Sequence, residues 1–477
     1  MRTLEKQSID RKARMKLEPV HKQYRAPEIR KNDYLEITPG FTMEEAMKEA
    51  ARCLQCPKAP CVNACRVGND IPLAMLLVEQ GEFVRAAEVY RETNPLPEIC
   101  GRVCPPDDSC AASCVLDKQG KGIDTRAIER FVTDYQRLHS GVPLPDKAPP
   151  TGKRVAVIGS GPSGLLVAEE ALKAGHQVSV YDALPIPGGL LVYGIPGFKL
   201  EKDIVEWKIR WLEALGAEFI TNTRIGEDIS FDELFEPEMF DAIYLGTGAQ
   251  THARMGIEGE NLGNIHDALD FINGANLPPS ILPSGVEPLN SIGKRVAVIG
   301  GGDTATDCVR TALRLGAEQV TCYYRRTETE MPGNRIDRNY AEEEGASFEF
   351  LTAPIRFLDR SSDGHVDSME MIRMELGEPD DSGRRRPIPI QGSEYSVEVE
   401  HVVLSIGFWA DTFIPEQTEG IQLDRKGFII VDPETGRTTR PGVFAGGDAV
   451  SGPELVSEAL QLSRFAVAGI LGYLNGE

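Results

Sequence analysis

Hydrophobic and polar positions change rhythm along this 477-residue chain. Over residues 41–135 apolar positions recur every three or four residues in short runs. The pattern predicts short amphipathic helices joined by cysteine-bearing turns. FTMEEAMKEAARCLQC is one of them, with Thr42 as N-cap and Glu45 completing a capping box. A stretch with four prolines follows, GVPLPDKAPPTGKR (141–154), and predicts a domain boundary. The rhythm then switches to short β-branched runs. The octapeptide GKRVAVIG occurs at 152–159 and again, letter for letter, at 293–300. Each copy predicts a buried strand that enters a glycine-rich turn, a helix and a second strand, which is a complete βαβ unit. The class is therefore α/β, with two Rossmann-like dinucleotide-binding domains behind a helical N-terminal domain. The expected boundaries are 1–146 for the helical domain, 147–254 plus 401–477 for the first dinucleotide domain, and 255–400 for the second, inserted one. The polar stretches 360–366 and 376–386 are expected to be surface loops without chemistry.

The two glycine turns carry different signals. Gly159, Gly161 and Gly164 form G-x-G-x-x-G, and Asp182 ends the next strand, 23 residues after Gly159. The glycines allow a tight turn, close approach of a pyrophosphate, and close helix–strand packing. A terminal carboxylate accepts hydrogen bonds from ribose hydroxyls and repels a 2′-phosphate. That suits FAD or NAD. In the second turn Gly300, Gly302 and Ala305 form G-x-G-x-x-A, with Asp303 and Thr304 expected at the same nucleotide. Here the strand ends in Arg325 and Arg326, 25 residues after Gly300, where the first copy has a carboxylate. Two guanidiniums there suit the 2′-phosphate of NADPH, and Arg335 adds a further candidate contact. Near the C-terminus RPGVFAGGDAVSGPELV predicts a strand ending at Gly446-Gly447-Asp448, ahead of a helix. It resembles the C-terminal FAD motif of two-dinucleotide-fold flavoprotein reductases. The resemblance implies that Gly447 and Asp448 contact FAD and that the FAD domain is discontinuous. Hydride transfer between two bound cofactors needs stacked rings and excluded water, so no catalytic side chain is expected.

Cysteines alter the picture most. Eight of ten lie between Cys53 and Cys114, in the spacings C-x2-C-x4-C-x3-C (Cys53, Cys56, Cys61, Cys65) and C-x3-C-x5-C-x3-C (Cys100, Cys104, Cys110, Cys114). Eight thiolates are the number that two 4Fe–4S clusters require. Zinc is the competing reading, although its paired C-x2-C knuckle occurs only once. Cys308 and Cys322 fall in a helix and a strand, as buried thiols.

Net charge is −22, which excludes a nucleic-acid surface. Residues 1–33 reverse the sign, with ten Lys/Arg against five Asp/Glu, and read as a solvated tail or as an arm that docks an acidic partner. No run of 18 apolar residues is present and no secretory h-region opens the chain, so a cytoplasmic location without a membrane span is expected.

From about Arg52 to the C-terminus the chain is similar to the small (β) subunits of NADPH-dependent glutamate synthases. The motifs that carry the similarity include NPLPEICGRVCP, GGLLVYGIPGFKLEK, GGGDTATDCVRTALRLGA and GVFAGGDAVSGPELV. The wider group includes the electron-input module of dihydropyrimidine dehydrogenases and the large subunits of ferredoxin–NADP bifurcating enzymes. The resemblance implies FAD, NADPH and two 4Fe–4S clusters. It implies crossed ligation, with Cys53, Cys56, Cys61 and Cys114 on one cluster and Cys65, Cys100, Cys104 and Cys110 on the other. It also implies Leu190 and Lys199 beside the flavin. The partner it implies is a large (α) subunit with FMN that makes glutamate from glutamine and 2-oxoglutarate. The alternatives are a related reductase with another acceptor (ferredoxin, sulfur compounds or pyrimidines) and a zinc-bearing nucleotide-binding scaffold without turnover.

Overall fold

The computed structural model describes residues 9–236, 239–380 and 383–476. Each copy of the repeated octapeptide becomes the middle strand of a five-stranded parallel sheet. In the first sheet Arg154–Ile158 is flanked by Gln177–Tyr181 and Ala242–Leu245. Ala217–Ile220 and Val443–Ala445 form its edges. Successive side chains of RVAVI face opposite ways. Val155 and Val157 pack against the helices Pro162–Lys173 and Val456–Asn475, while Ala156 and Ile158 pack against Phe231, Leu234 and Ile414. Burial on both faces explains why the run is uninterrupted by polar residues.

The second sheet repeats the plan. Arg295–Gly300 lies between Gln319–Tyr324 and His401–Ser405, with Ser347–Phe350 and Ile265–Asp267 at the edges. Val443–Ala445 joins the first sheet after the second is complete, so the second unit interrupts the first. The chain crosses between them at Thr251–His252 and Phe408–Trp409, which pair antiparallel. His401–Ser405 corrects the expected boundary at 400/401, because it belongs to the second sheet and the return begins beyond Ser405. HVVLS fits either parallel sheet equally well, and only its register against Val296–Gly300 assigns it.

A separate antiparallel sheet is made by Thr352–Leu358, Ser368–Pro379, Arg385–Pro389 and Tyr395–Glu398. It corrects a second expectation. Within 376–386, residues 376–379 and 385–386 are strand residues of a β-hairpin, with Leu376 opposite Pro387 and Pro379 opposite Arg385, while 381–382 lie outside the described residues. Both faces of this hairpin are largely solvated, so no apolar alternation announces it.

The N-terminal part is helical, with Met43–Ala50, Ile71–Glu79, Phe83–Arg91, Pro97–Val103 and Thr125–Tyr135 as its longer elements. Thr42 and Glu45 form the expected capping box. Ahead of it, residues 9–40 are neither a solvated tail nor a free arm; they form a strap. Arg14 Nη2 meets Glu79 at 2.7 Å and Arg11 Nε donates to the Leu54 carbonyl at 2.9 Å. Farther along, Arg30 is 1% exposed and pairs with Glu343 and Glu344 of the second dinucleotide unit. Glu36 receives Arg102 and Arg130 from the cysteine-bearing helices. Among the described residues of this basic stretch, Arg11, Arg14, Lys22 and Arg30 are thus spent on acidic groups and carbonyls elsewhere in the chain. Residues 1–8 lie outside the described residues.

Candidate functional site

A cavity of about 580 Å³ opens at the C-terminal ends of the first sheet's strands, where Ile158 and Tyr181 line it. Gly159 turns the chain there with φ +98°, and a Cβ on it would stand 2.3 Å from the Gly246 oxygen. A Cβ on Gly164 would stand 1.9 Å from the Gly159 oxygen. Gly161 lines the cavity, and a Cβ on it would meet nothing within 4 Å. The space it leaves open lies at the start of the helix Pro162–Lys173, which has no side-chain cap, so its first N–H groups are available to an anion.

Asp182 lines the same cavity and is 8% exposed. Its Oδ2 accepts from the Ser160 N–H at 2.9 Å and from the Ser160 hydroxyl, and its Oδ1 accepts from the Leu184 N–H at 2.9 Å. Asp448 follows Gly447 at the start of the short helix Asp448–Ser451. Its buried Oδ1 has no hydrogen-bond partner among the described residues, and burial pushes its carboxyl up to about 7. An orphaned acceptor at the wall of an uncapped, glycine-lined cavity fits a polyhydroxyl ligand carrying a pyrophosphate, and FAD has that chemistry.

The second glycine turn borders this cavity through Asp303 and Thr304. A Cβ on Gly300 would stand 2.1 Å from the Ser405 oxygen, Gly302 precedes the uncapped helix Asp303–Arg314, and Ala305 is fully buried. Gly333 N–H donates to the Gly301 carbonyl at 2.9 Å, and Asp303 Oδ1 accepts from Asn334 N–H at 2.7 Å. These bonds lay the segment MPGNR over the turn. Arg335 is exposed at the head of the helix Arg335–Glu343. Leu190 and Lys199 both line the cavity. Lys199 Nζ bridges Asp307 at 2.6 Å and Asp337 at 2.8 Å, which ties the flavin-side loop to the second dinucleotide unit. Burial lowers the Lys199 pKa, but these two carboxylates and Asp303 outweigh it and the ammonium is held charged.

The two arginines at the end of Gln319–Tyr324 part company. Arg325 stands at the surface and makes no ion pair among the described residues. Arg326 is 4% exposed and turned away into the hairpin, with Nη2 2.6 Å from Asp380 Oδ2 and Nε donating to the Arg385 carbonyl at 2.7 Å. The sequence could not show this, because Asp380 lies 54 residues farther on.

The eight clustered thiols divide in space. Cys53, Cys56, Cys61 and Cys114 line one small void. Cys65, Cys104, Cys110 and Glu129 act on one another electrostatically in a second group, where Cys100 donates a hydrogen bond to Cys104. The grouping crosses the two spacing motifs. Two groups of four thiols match the number that two 4Fe–4S clusters require. Burial pushes Cys53 and Cys110 up to about 12 and Cys61 up to about 11, so loading of metal must release protons. Cys104 is held lower by its hydrogen bond from Cys100, and Ser457 contributes as well. Ser457 follows Val456, which lines the large cavity, so the second thiol group is the one beside it. Cys308 and Cys322 are fully buried away from both groups.

Glu129 was not singled out from the sequence. Its Oε1 accepts from Asn69 at 3.1 Å and Asn94 at 2.9 Å. Burial chiefly, then the Cys104 charge, push it up to about 8. A signal existed: Glu129 falls four residues after Thr125 and three before Val132, on the buried stripe of Thr125–Tyr135, where a carboxylate is out of place.

These sites define an oxidoreductase with a pyridine-nucleotide fold and a cysteine-rich electron-transfer domain. The family profile described as pyridine nucleotide-disulphide oxidoreductase matches residues 153–462. The profile described as dihydropyrimidine dehydrogenase domain II, 4Fe-4S cluster, matches residues 30–140. FprA from Mycobacterium tuberculosis, solved in complex with NADPH, shares the fold with a TM-score of 0.57 at 23% identity, over 69% of this chain and 85% of that one. Among curated proteins, the glutamate synthase (NADPH) small chain of Escherichia coli strain K12 is 40% identical over 94% of this chain and 95% of its own length. The putative oxidoreductase AegA of the same strain is 40% identical over 94% of this chain and 69% of its own length. The chain belongs to the pyridine nucleotide-disulphide oxidoreductase family, in the group that contains the glutamate synthase (NADPH) small chains.

Proposed function

We propose that this chain is the electron-input subunit of a glutamate synthase. It oxidises NADPH by hydride transfer to FAD and passes electrons through two 4Fe–4S clusters to a large FMN-containing subunit, which makes glutamate from glutamine and 2-oxoglutarate. The observation that carries the reading is the 40% identity to a glutamate synthase small chain over 94% of this chain and 95% of the other. Bound FAD would supply the two-electron to one-electron conversion that a hydride donor and iron–sulfur acceptors require. The chain's own part is positional. The Gly159–Gly164 turn and its uncapped helix hold the pyrophosphate, Asp182 the adenosine ribose, and Asp448 the ribityl side. Gly300, Gly302, Asp303, Thr304 and Ala305 receive NADPH, with Arg325 toward the 2′-phosphate. The Cys65, Cys100, Cys104 and Cys110 group stands beside the flavin cavity and the Cys53, Cys56, Cys61 and Cys114 group beyond it. No helix among the described residues is long and apolar enough to cross a membrane, and we place the working complex in the cytoplasm.

The test is NADPH oxidation by the purified chain with and without a competent large subunit. Oxidation dependent on both glutamine and 2-oxoglutarate is expected only when the large subunit is added. Its absence would overturn the assignment. The equal identity to AegA favours a second reading, a reductase of the same electron path with another acceptor (ferredoxin, sulfur compounds or pyrimidines). That reading predicts stimulation by such an acceptor and none by the large subunit.

A further inference from the structure

A polar network runs through the interior of the helical domain and meets at Glu129. A carboxyl on the buried stripe of a helix is costly unless its oxygens find donors. Glu129 Oε1 finds two, the carboxamides of Asn69 at 3.1 Å and Asn94 at 2.9 Å, and all three side chains are buried. Both amides are fixed at their other ends as well. The Thr93 hydroxyl donates to Asn69 Oδ1 at 2.8 Å, and the Leu96 N–H donates to Asn94 Oδ1 at 3.0 Å. Each arm of the network reaches a thiol. The Asn69 N–H donates to Cys65 Sγ at 3.4 Å, and Cys100 Sγ stands 3.8 Å from Asn94 Oδ1. The start of the same helix, Thr125–Tyr135, takes hold of two more cysteines. Thr125 Oγ1 lies 3.0 Å from Cys110 Sγ, and Arg126 Nη1 donates to the Cys104 carbonyl at 3.1 Å. Four cysteines from separate segments are thus tied to little more than one turn of one helix, and they are the four of the second thiol group.

We propose that Glu129 is the positioning residue of the cluster held by Cys65, Cys100, Cys104 and Cys110. Through Asn69 and Asn94 it sets the separation of the Cys65 and Cys100 segments, while Thr125 and Arg126 set the other two against the same helix. The inference rests on the reading of these thiols as 4Fe–4S ligands and deepens it. Cys65 and Cys100 are 35 residues apart in the chain, and one accepting oxygen shared by two amides fixes them relative to each other. Groups that orient ligands in this way govern how tightly a metal centre is kept. What the site requires at this point is an acceptor, so a side chain of the same shape with a carbonyl oxygen serves in place of the carboxyl.

The experiment uses the full chain, reconstituted anaerobically with iron and sulfide, and follows electron paramagnetic resonance of the reduced protein and iron release to a chelator. The signal of this cluster is the one that survives Cys114→Ser. Glu129→Leu, close in size but without an acceptor, is expected to release iron from this cluster about tenfold faster or more and to shift or remove its signal. The signal of the cluster held by Cys53, Cys56, Cys61 and Cys114 and the flavin content are expected to stay as they are. Glu129→Gln keeps the accepting oxygen and is expected to restore both signal and release rate. Asn69→Ala cuts one arm, so it should act in the same direction and more weakly, and it decides the matter if Glu129→Leu does not fold. Unchanged signal and release in these variants, or equal loss of both clusters, would overturn the positioning role, as would failure of Glu129→Gln to restore the signal. If the unaltered protein shows no iron–sulfur signal after reconstitution, the cluster reading of these thiols falls instead.

Discussion

Gly164 shows how much one atom decides at the residue scale. Its missing Cβ is what lets the helix Pro162–Lys173 start against the Gly159 carbonyl, so Gly164→Ala must push helix and strand apart at the pyrophosphate. We expect FAD retention at least about tenfold weaker, read as the flavin-to-protein absorbance ratio after gel filtration. Unchanged flavin content would show that the turn is not the FAD site. The thiols give a sharper test. Cys114→Ser should cost about half the iron and remove the signals of the cluster held with Cys53, Cys56 and Cys61, leaving the other intact. Electron paramagnetic resonance of the reduced protein decides this, and loss of the signals tied to Cys104 and Cys110 instead would mean grouping by sequence spacing. Glycines and cysteines were legible residue by residue because their constraints are local. Arg326 was not, because what it binds is decided by a turn 54 residues away.

Between elements, buried charge holds the molecule together. Glu344 joins Arg30 of the strap to Arg310 and Arg314 of the helix Asp303–Arg314, with all four side chains almost wholly enclosed. The strap carbonyls of Arg30 and Asp33 also accept from Arg314 at 2.8 Å each. Burial pushes the Glu344 carboxyl up, but hydrogen bonds and charge from Arg310 and Arg314 outweigh it and bring its pKa to about 2. A carboxyl with a folded-state pKa below its unfolded value adds stability above the unfolded pKa and loses it as pH falls through the folded one. The contribution should be complete above about pH 4.5 and gone near pH 2. Glu344→Gln is therefore expected to cost about 3–5 kcal/mol at pH 7, since it leaves the buried Arg310 and Arg314 without their carboxylate and Arg30 with Glu343 alone. Denaturant melts at pH 7 and pH 3 should show the gap narrowing in acid; an equal cost at both would mean the loss is packing alone. The strap was opaque in the sequence for the same reason as Arg326. A basic run reads as solvated when its partners lie from 43 to 314 residues away.

Across the whole molecule, the second nucleotide unit borders the cavity through Asp303 and Thr304, the Cys65–Cys110 group adjoins it near Ser457, and the Cys53–Cys114 group lines a separate void that shares no residue with the cavity. In the proposed complex the far group is the exit. Cys53→Ser should keep most NADPH–ferricyanide activity, which needs only the flavin, while glutamine-dependent turnover with the large subunit falls about tenfold or more. Equal loss of both would place this group before the flavin or mark it as structural. The sequence by itself determined the two βαβ units, the glycine turns, the eight clustered cysteines and the helical block that holds them. Each is a short-range rule of periodicity, a missing Cβ or thiol chemistry, complete within about 30 residues. Only the tertiary structure decided that His401–Ser405 belongs to the inserted sheet, that thiols group across their motifs, that Glu129 stands among them, that the basic N-terminus is a strap, and that Arg326 serves a hairpin. These depend on which of several chemically equivalent partners comes close, and closeness between distant residues is a property of the folded chain as a whole.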